Sequence, residues 1–295
     1  MNYLETLGPV PLSFFAAITY AAAQMFYREP LKQLGSSRTV IIVNTMMFSG
    51  GVIAYAFTEG GVRWEPAGVF WFVLVGLFGP FASRHIQYSA IPRIGVSRYQ
   101  VLLQTVPIWS ALIAIIFVGE ALGPFTALGT VFIIAGSIFL VKEHHTESRG
   151  VSLIYLAFPL MAACLLGATP TFREFGFIHI PSSSLGMAIG LGAGLLFSLI
   201  SFFLFPSKKE SGRWEWRPSL LVISGGAINA ISAVAYWRAI QVGDVVEVIP
   251  ITRLSLLFVL LFSWIIFRRQ ERITGRVLIG AALALIGALA ITAVK

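Results

Sequence analysis

The chain reads as an all-α integral membrane protein with ten transmembrane helices arranged as two five-helix inverted repeats. Composition is the first observation behind this. Hydrophobic residues fill 57% of the 295 positions and charged residues only 12%, with a mean hydropathy of +0.84. Soluble domains carry about 25% charged residues, so half that share cannot cover a surface facing water. The second observation is segmentation into ten apolar runs separated by short polar breaks. The third is an internal echo: GEALGPFTALGTVFIIAG (119–136) recurs as QERITGRVLIGAALALIG (270–287). Glu120, Gly129 and Gly136 match Glu271, Gly280 and Gly287 at a constant offset of 151. An offset of half the chain marks a duplication.

In order, the runs fall near 11–31, 39–58, 67–90, 98–118, 123–141, 151–171, 183–205, 218–240, 246–267 and 275–294. At roughly 20 residues per span, they leave no room for a sizeable soluble domain. Lipid gives backbone amides no partner, so each run is expected to be helical; a barrel would need alternating rather than continuous apolarity. Residues 1–145 form the first repeat and 151–295 the second. Tyr27-Arg28-Glu29 recurs as Phe172-Arg173-Glu174, and YSAIPRIG (88–95) as YWRAIQVG (236–243). Homologous halves of five spans each must insert with opposite orientations, because five is odd. Inverted repeats about an axis in the membrane plane follow.

Charge orients the whole. The connections after spans 1, 3, 5, 7 and 9 hold fifteen of the 21 basic residues, and the opposite side holds three, Arg63, Arg173 and Lys295. By the positive-inside rule, the odd connections are cytoplasmic and both termini lie outside. The net charge of +8 is scattered over these loops, so it marks topology and excludes nucleic acid as a partner. The first ten residues carry no Lys or Arg, and no cleavable signal is read. Cys164, the single cysteine, falls in an apolar run and reads as packing. Gly186, Gly190 and Gly194 share one face of span seven at four-residue spacing, which lets a neighbouring helix approach. The string GLGAG (190–194) lies in the same apolar run with no strand before it, so no cofactor is expected.

Ten spans, a half-chain duplication and a Glu between the fourth and fifth spans of each half resemble the EamA-like branch of the drug/metabolite transporter superfamily. The matching residues are Gly119-Glu120 with Gly129, Gly136 and Pro107 in the first half, and Glu271 with Gly280 and Gly287 in the second. Phe258 stands where a second Pro107 would fall, with Pro250 earlier in that span. Tyr20-Ala21 occupies the region where the family often has Trp-Gly. The resemblance implies a central cavity between the halves, lined chiefly by spans 1, 3, 4, 6, 8 and 9, and alternating access by rocking helices. It implies substrates among small metabolites, amino acids, nucleotide sugars and organic phosphates. Members usually keep both termini in the cytoplasm; we follow the charges instead.

Candidate substrate residues are the polar and aromatic side chains inside spans. Arg253 follows Pro250 about seven residues into span nine, roughly 10 Å deep at about 1.5 Å per residue. A charge at that depth usually faces a wet cavity; snorkelling, or pairing with Asp244 or Glu247, is the competing reading. Arg84 and His85 in span three and Arg238 in span eight lie nearer span ends, where snorkelling and substrate contact stand level. Gln104 in span four, and Gln24 with Tyr20 on span one, read equally as substrate contacts or interhelical glue. Trp109, Tyr99 and Trp237 could wall a substrate, although packing is the commoner fate of such rings. Asp244 and Glu247 are candidates for proton coupling, against the plainer reading of helix N-terminal charges. Glu120 and Glu271 are assigned to structure, each meeting the open amides of the helix it begins. The Arg-Glu pairs 28–29 and 173–174 read as exposed boundary charges.

No HExxH, GxSxG or Cys/His cluster is present, so neither enzymatic chemistry nor a metal site is expected. The expected function is secondary transport of a small polar or amphipathic metabolite, an amino acid, carboxylate or organic phosphate, with an anionic group favoured. A lipid or carrier-lipid flippase of the same fold is the rival, and a membrane scaffold the third possibility. Substrate and membrane lipid are the expected partners, a monomer or homodimer the expected state, and a bacterial inner membrane the expected location.

Overall fold

Among the described residues, helix falls within each of the ten apolar runs, and proline and glycine decide where the helices begin, bend and touch. The computed structural model describes residues 7–27, 30–34, 36–58, 64–83, 85–86, 90, 102–142, 155, 157–204, 216–266 and 275–292. Its helices are α1 (Pro9–Met25), α2 (Pro30–Leu34), α3 (Ser36–Thr58), α4 (Pro66–Gly76) and α5 (Val106–Phe117). There follow α6 (Pro124–Lys142), α7 (Ala157–His179), α8 (Ser183–Leu204), α9 (Trp216–Val242), α10 (Val245–Thr252), α11 (Ser255–Ile266) and α12 (Gly275–Thr292). Helices α1, α2, α4 and α6 open on proline, whose missing N–H costs nothing at a helix start. Four stretches are long and apolar enough to cross a membrane: Ser37–Phe57, Pro66–Ser83, Ser183–Leu204 and Trp216–Val242.

Three irregularities matter. A π-helical segment, Leu77–Ser83 with Pro80 inside it, continues α4. A turn at 104–105 precedes α5, and a second turn at 253–254 separates α10 from α11. Proline stands near each turn: Pro107 follows the first, removing an amide and crowding the carbonyl of Leu103, and Pro250 lies in the last turn of α10, just before the second. The backbone tightens to three-residue bonds there: Thr105 N–H to Leu102 O at 3.1 Å, Arg253 N–H to Pro250 O at 3.0 Å and Leu254 N–H to Ile251 O at 3.0 Å. The fourth span of each repeat is thus interrupted.

Packing divides the chain differently from the repeats. One compact unit comprises Met1–Phe81 and Phe172–Val242, the other Ala82–Thr171 and Gly243–Lys295. Each unit draws repeat-related helices from both halves. In the first, α1 lies along α9, α3 packs on α8 and α9, and α4 packs on α8. Its core gathers Phe72, Val75, Ile180, Leu185, Met187 and Trp237. The glycine stripe of α8 carries this packing as expected. A Cβ at Gly186 would lie 2.6 Å from the Phe72 ring, and one at Gly194 would lie 2.5 Å from Pro80 Cγ. The same helix contains GLGAG in regular α conformation.

The second unit is centred on α6 and α12, with α10 beside both and α5 against α10. Here the repeated glycines pair crosswise. A Cβ on Gly129 would come within 2.5 Å of the Gly287 carbonyl oxygen, and one on Gly287 within 2.5 Å of that of Gly129. Gly136 stands in the same relation to Gly280, also at 2.5 Å. Since Gly129 corresponds to Gly280 and Gly136 to Gly287, each glycine meets the counterpart of the other. That reciprocity is the signature of a local two-fold axis. The pairs run in opposite sequence directions, so the helices are antiparallel and the axis is perpendicular to them, as inverted repeats require.

Candidate substrate site

In the second unit the interrupted spans lie side by side, since α5 packs on α10. Gln104 is buried at the turn before α5. Trp109 is half-buried one turn into it, and its Cβ lies so near Gly167 of α7 that a methyl there would come within 2.7 Å. On α10, Asp244 is exposed at the N-cap position and Glu247 is half-buried in the first turn. Pro250 is buried, and Arg253 is half-buried in the turn that follows. Hydroxyls settle carbonyls near both interruptions: Thr105 Oγ1 donates to Leu102 O and Thr252 Oγ1 to Ile249 O, each at 2.7 Å. His85 also belongs to this unit and is exposed.

The start of α10 is closed from elsewhere in the sequence. Asp244 makes no capping bond with its side chain. Instead the Val245 N–H donates to Glu120 Oε1 at 2.8 Å and the Val246 N–H to Glu120 Oε2 at 3.0 Å. Glu120 therefore does not cap the helix that follows it, as its place before α6 suggested; it caps a helix of the other repeat. Gly119 makes this possible. It ends α5 with a φ of 80° and its N–H bonds back to Ala114 O at 3.0 Å, a left-handed termination that a side chain would strain. Glu271, the repeat partner, lies outside the described residues, as do Arg84, Tyr99 and the pair Arg28-Glu29.

The first unit holds Tyr20, Gln24, Trp237 and Arg238. Ser232 Oγ donates to Ala16 O at 2.7 Å, and a Cβ on Gly225 would lie 3.1 Å from Ala23 O. These two contacts set α1 and α9 antiparallel, with Gln24 level with the Gly225 turn and Tyr20 between the anchors. Trp237 is five residues beyond Ser232, so it stands about 13 Å along the axis from the level of Tyr20. Tyr20 and Gln24 are thus not brought to Trp237 and Arg238. Tyr20 is 41% exposed. Arg238 donates through Nη1 to Gln241 Oε1 at 2.6 Å, a local bond near the end of α9.

Two neighbouring residues of this unit were misread from sequence: Glu174 is half-buried with its Oε2 enclosed. Arg173 is no exposed boundary charge: it is 8% exposed and sits over the rings of Tyr236 and Trp237. Helix α7 runs on to His179, well past 171, where the apolar run was taken to end, and so carries Arg173 inward. At its end His179 Nδ1 lies 3.2 Å from Glu65 Oε1, joining it to the start of α4. The signal for Arg173 was the aromatic pair Tyr236-Trp237 in span eight, whose faces can accept a cation.

A family model described as the EamA-like transporter family matches the chain twice, over residues 7–142 and 150–293. The chain belongs to the EamA-like transporter family. Its two matches cover the two repeats, so this EamA-like chain is a multi-pass integral membrane protein of the drug/metabolite transporter superfamily, built on a duplicated unit. A solved crystal structure is similar over 97% of this chain and 99% of its own, with a TM-score of 0.80 at 17% identity; at that identity the likeness shows the fold alone. No curated protein sequence matches the EamA-like chain.

Proposed function

We propose that this EamA-like protein is a secondary transporter that moves a small polar or amphipathic metabolite bearing an anionic group, by alternating access, across a bacterial inner membrane. The observation that carries this reading is the adjoining pair of interrupted spans, with Gln104 at one interruption and Arg253 at the other. Helix interruptions at membrane depth expose backbone polar groups, which are tolerated where they line a wet or protein-walled cavity. Arg253 adds a fixed positive charge with a planar fork that suits carboxylate and phosphate. Asp244 and Glu247, at the start of the same helix, are the groups placed to exchange a proton with the transport cycle.

The reading is tested by uptake into proteoliposomes holding the purified protein. Labelled carboxylates, amino acids and organic phosphates are offered with amine analogues as controls. Anion uptake accelerated by unlabelled anion on the opposite side is the expected result, as alternating access demands. Transport confined to cations, or lipid scrambling without solute uptake, would overturn it in favour of a different substrate or of a flippase.

A further inference from the structure

Helix α10 begins with two sets of capping groups and uses the borrowed one. Its own set is written in its sequence: Asp244-Val245-Val246-Glu247 places a strong N-capping residue three positions before a Glu, the spacing of a capping box. Asp244 stands at the N-cap position with extended backbone, φ −70° and ψ 140°, as a capping residue does. Its carbonyl accepts the first helical bonds, from the Glu247 N–H at 3.2 Å and the Val248 N–H at 3.0 Å. Its carboxylate nevertheless makes no capping bond, and the residue is exposed. An amide that an N-cap side chain is placed to reach, that of Val246, is held by Glu120 Oε2 at 3.0 Å. Both carboxylates stand beside glycine. Gly119, with nothing within 4 Å of a virtual Cβ, and Gly123, with only Thr126 Oγ1 at 3.8 Å, bracket the turn of Glu120. Gly243 forms the bend before Asp244.

We propose that Glu120 and Asp244 exchange as the cap of α10, so that the helix is alternately tied to the turn between α5 and α6 and closed by its own residue. The Val246 amide serves one carboxylate at a time, and two negative charges at one helix end repel each other. The two caps therefore exclude each other. Glu247, the third carboxylate at this end, is the acid of Asp244's box and meets the positive end of the dipole in both states. The states are unequal. Glu120 satisfies the amides of both Val245 and Val246, which are buried residues, whereas Asp244 would satisfy one. The borrowed cap is the resting form, and a handicap of one hydrogen bond leaves the self-capped form roughly 0.1–10% populated. Helix α10 packs on α5 and α6 in the resting form; the exchange decides whether its first turn is also fastened to the other repeat. The same helix contains Pro250 and ends at Arg253, so its release bears on the substrate site. That last step rests on the transporter reading, in which a helix must be freed without leaving its amides bare.

The test is a double-substitution cycle on the purified full-length protein, read by thermal unfolding. In the Glu120→Ala protein, where the substitute cap is in use, Asp244→Ala should lower the melting temperature by about 2–4 °C more than it does in the parent. Simple repulsion between the two carboxylates would give a difference of the same sign, and Asp244→Asn separates the two accounts. Asn carries no charge but caps as well as Asp. Combined with Glu120→Ala it should melt where Glu120→Ala alone melts, a comparison that still decides if the double Ala variant fails to fold. Hydrogen exchange gives a second reading. Asp244→Ala closes the route by which the Val245 amide is released, so exchange there should slow several-fold relative to its intrinsic rate, whereas Asp244→Asn should leave it as in the parent. An equal effect of Asp244→Ala in both backgrounds, an Asn variant that melts with the double Ala one, or exchange that does not slow would overturn the proposal and leave Asp244 an unused cap. Anion uptake with an additive cycle defeats the exchange of caps alone; a coupled cycle without any uptake defeats the transporter reading and spares the exchange.

Discussion

The carboxylate of Glu120 closes the amide end of the helix that begins at Val245, with one oxygen on the Val245 N–H at 2.8 Å and the other on that of Val246 at 3.0 Å. The two residues are 125 positions apart and come from opposite repeats. A side chain in the turn between α5 and α6 therefore fixes where α10, the helix of Pro250 and Arg253, starts. An anion at a helix N-terminus satisfies orphan amides and meets the positive end of the helix dipole.

Replacing Glu120 by Ala is expected to lower stability by about 0.5–2 kcal/mol, the usual cost of a lost N-cap. Glu120→Gln keeps an acceptor oxygen but not the charge, so its loss should be smaller. Thermal unfolding in detergent reads both. An Ala variant as stable as the parent would show that the two bonds contribute nothing net.

The reciprocal glycines predict a sharp contrast between sites. Gly129→Ala or Gly287→Ala puts a methyl 2.5 Å from a backbone oxygen, and overpacking of this kind costs about 1–3 kcal/mol. The double substitution should be no better than the worse single one, because both methyls push the same two helices apart. Gly275, with nothing within 4 Å of its virtual Cβ, should accept Ala without loss. Melting temperatures of the four variants decide it.

At Arg253 the expected damage is to affinity and not to folding. Arg253→Lys preserves the charge and removes the planar fork, and Arg253→Ala removes both. Uptake assays should show a large loss in each at normal membrane expression, with Ala at least as damaging as Lys. Wild-type transport rates in both would reassign Arg253 to snorkelling or to pairing with a neighbour.

Orientation is open to a labelling experiment on the polar loops. With Cys164 replaced by Ser, a cysteine at Ser211 should resist a membrane-impermeant thiol reagent in intact cells, while one at Gly61 should react. The reverse pattern would place both termini in the cytoplasm and overrule the charge count.

The helices were legible in the sequence because apolarity sustained over about 20 residues admits few other structures. Pro250 signalled the interruption of span nine, and Gly186, Gly190 and Gly194 signalled the close approach that Phe72 and Pro80 make to α8. Two local readings went astray for physical reasons. Glu120 was taken to cap the helix it precedes, because periodicity and spacing say nothing of which distant amides a left-handed Gly119 turns it towards. Arg173 was taken as exposed because the first charge after an apolar run looks like the end of a span. The two aromatic faces of α9 make its burial tolerable, and they lie 63 and 64 positions further along the chain. The candidate substrate residues were legible as types only. Tyr20 and Trp237 look alike in sequence, and the register of α1 on α9 separates them.

The crosswise glycine pairs also bear on how the molecule is made. Gly129 is synthesised 158 residues before Gly287, an interval of roughly eight to thirty seconds at about 5–20 residues per second. For most of that time α6 is complete but lacks the helix against which its backbone is shaped, and α1 and α3 likewise wait for α9 and α8. Neither half of the gene encodes a packing unit that can be completed alone. The first half must be held in the bilayer, by lipid or by the insertion machinery, until the second arrives, and a chain that stops early presents glycine-lined seams with nothing to fill them.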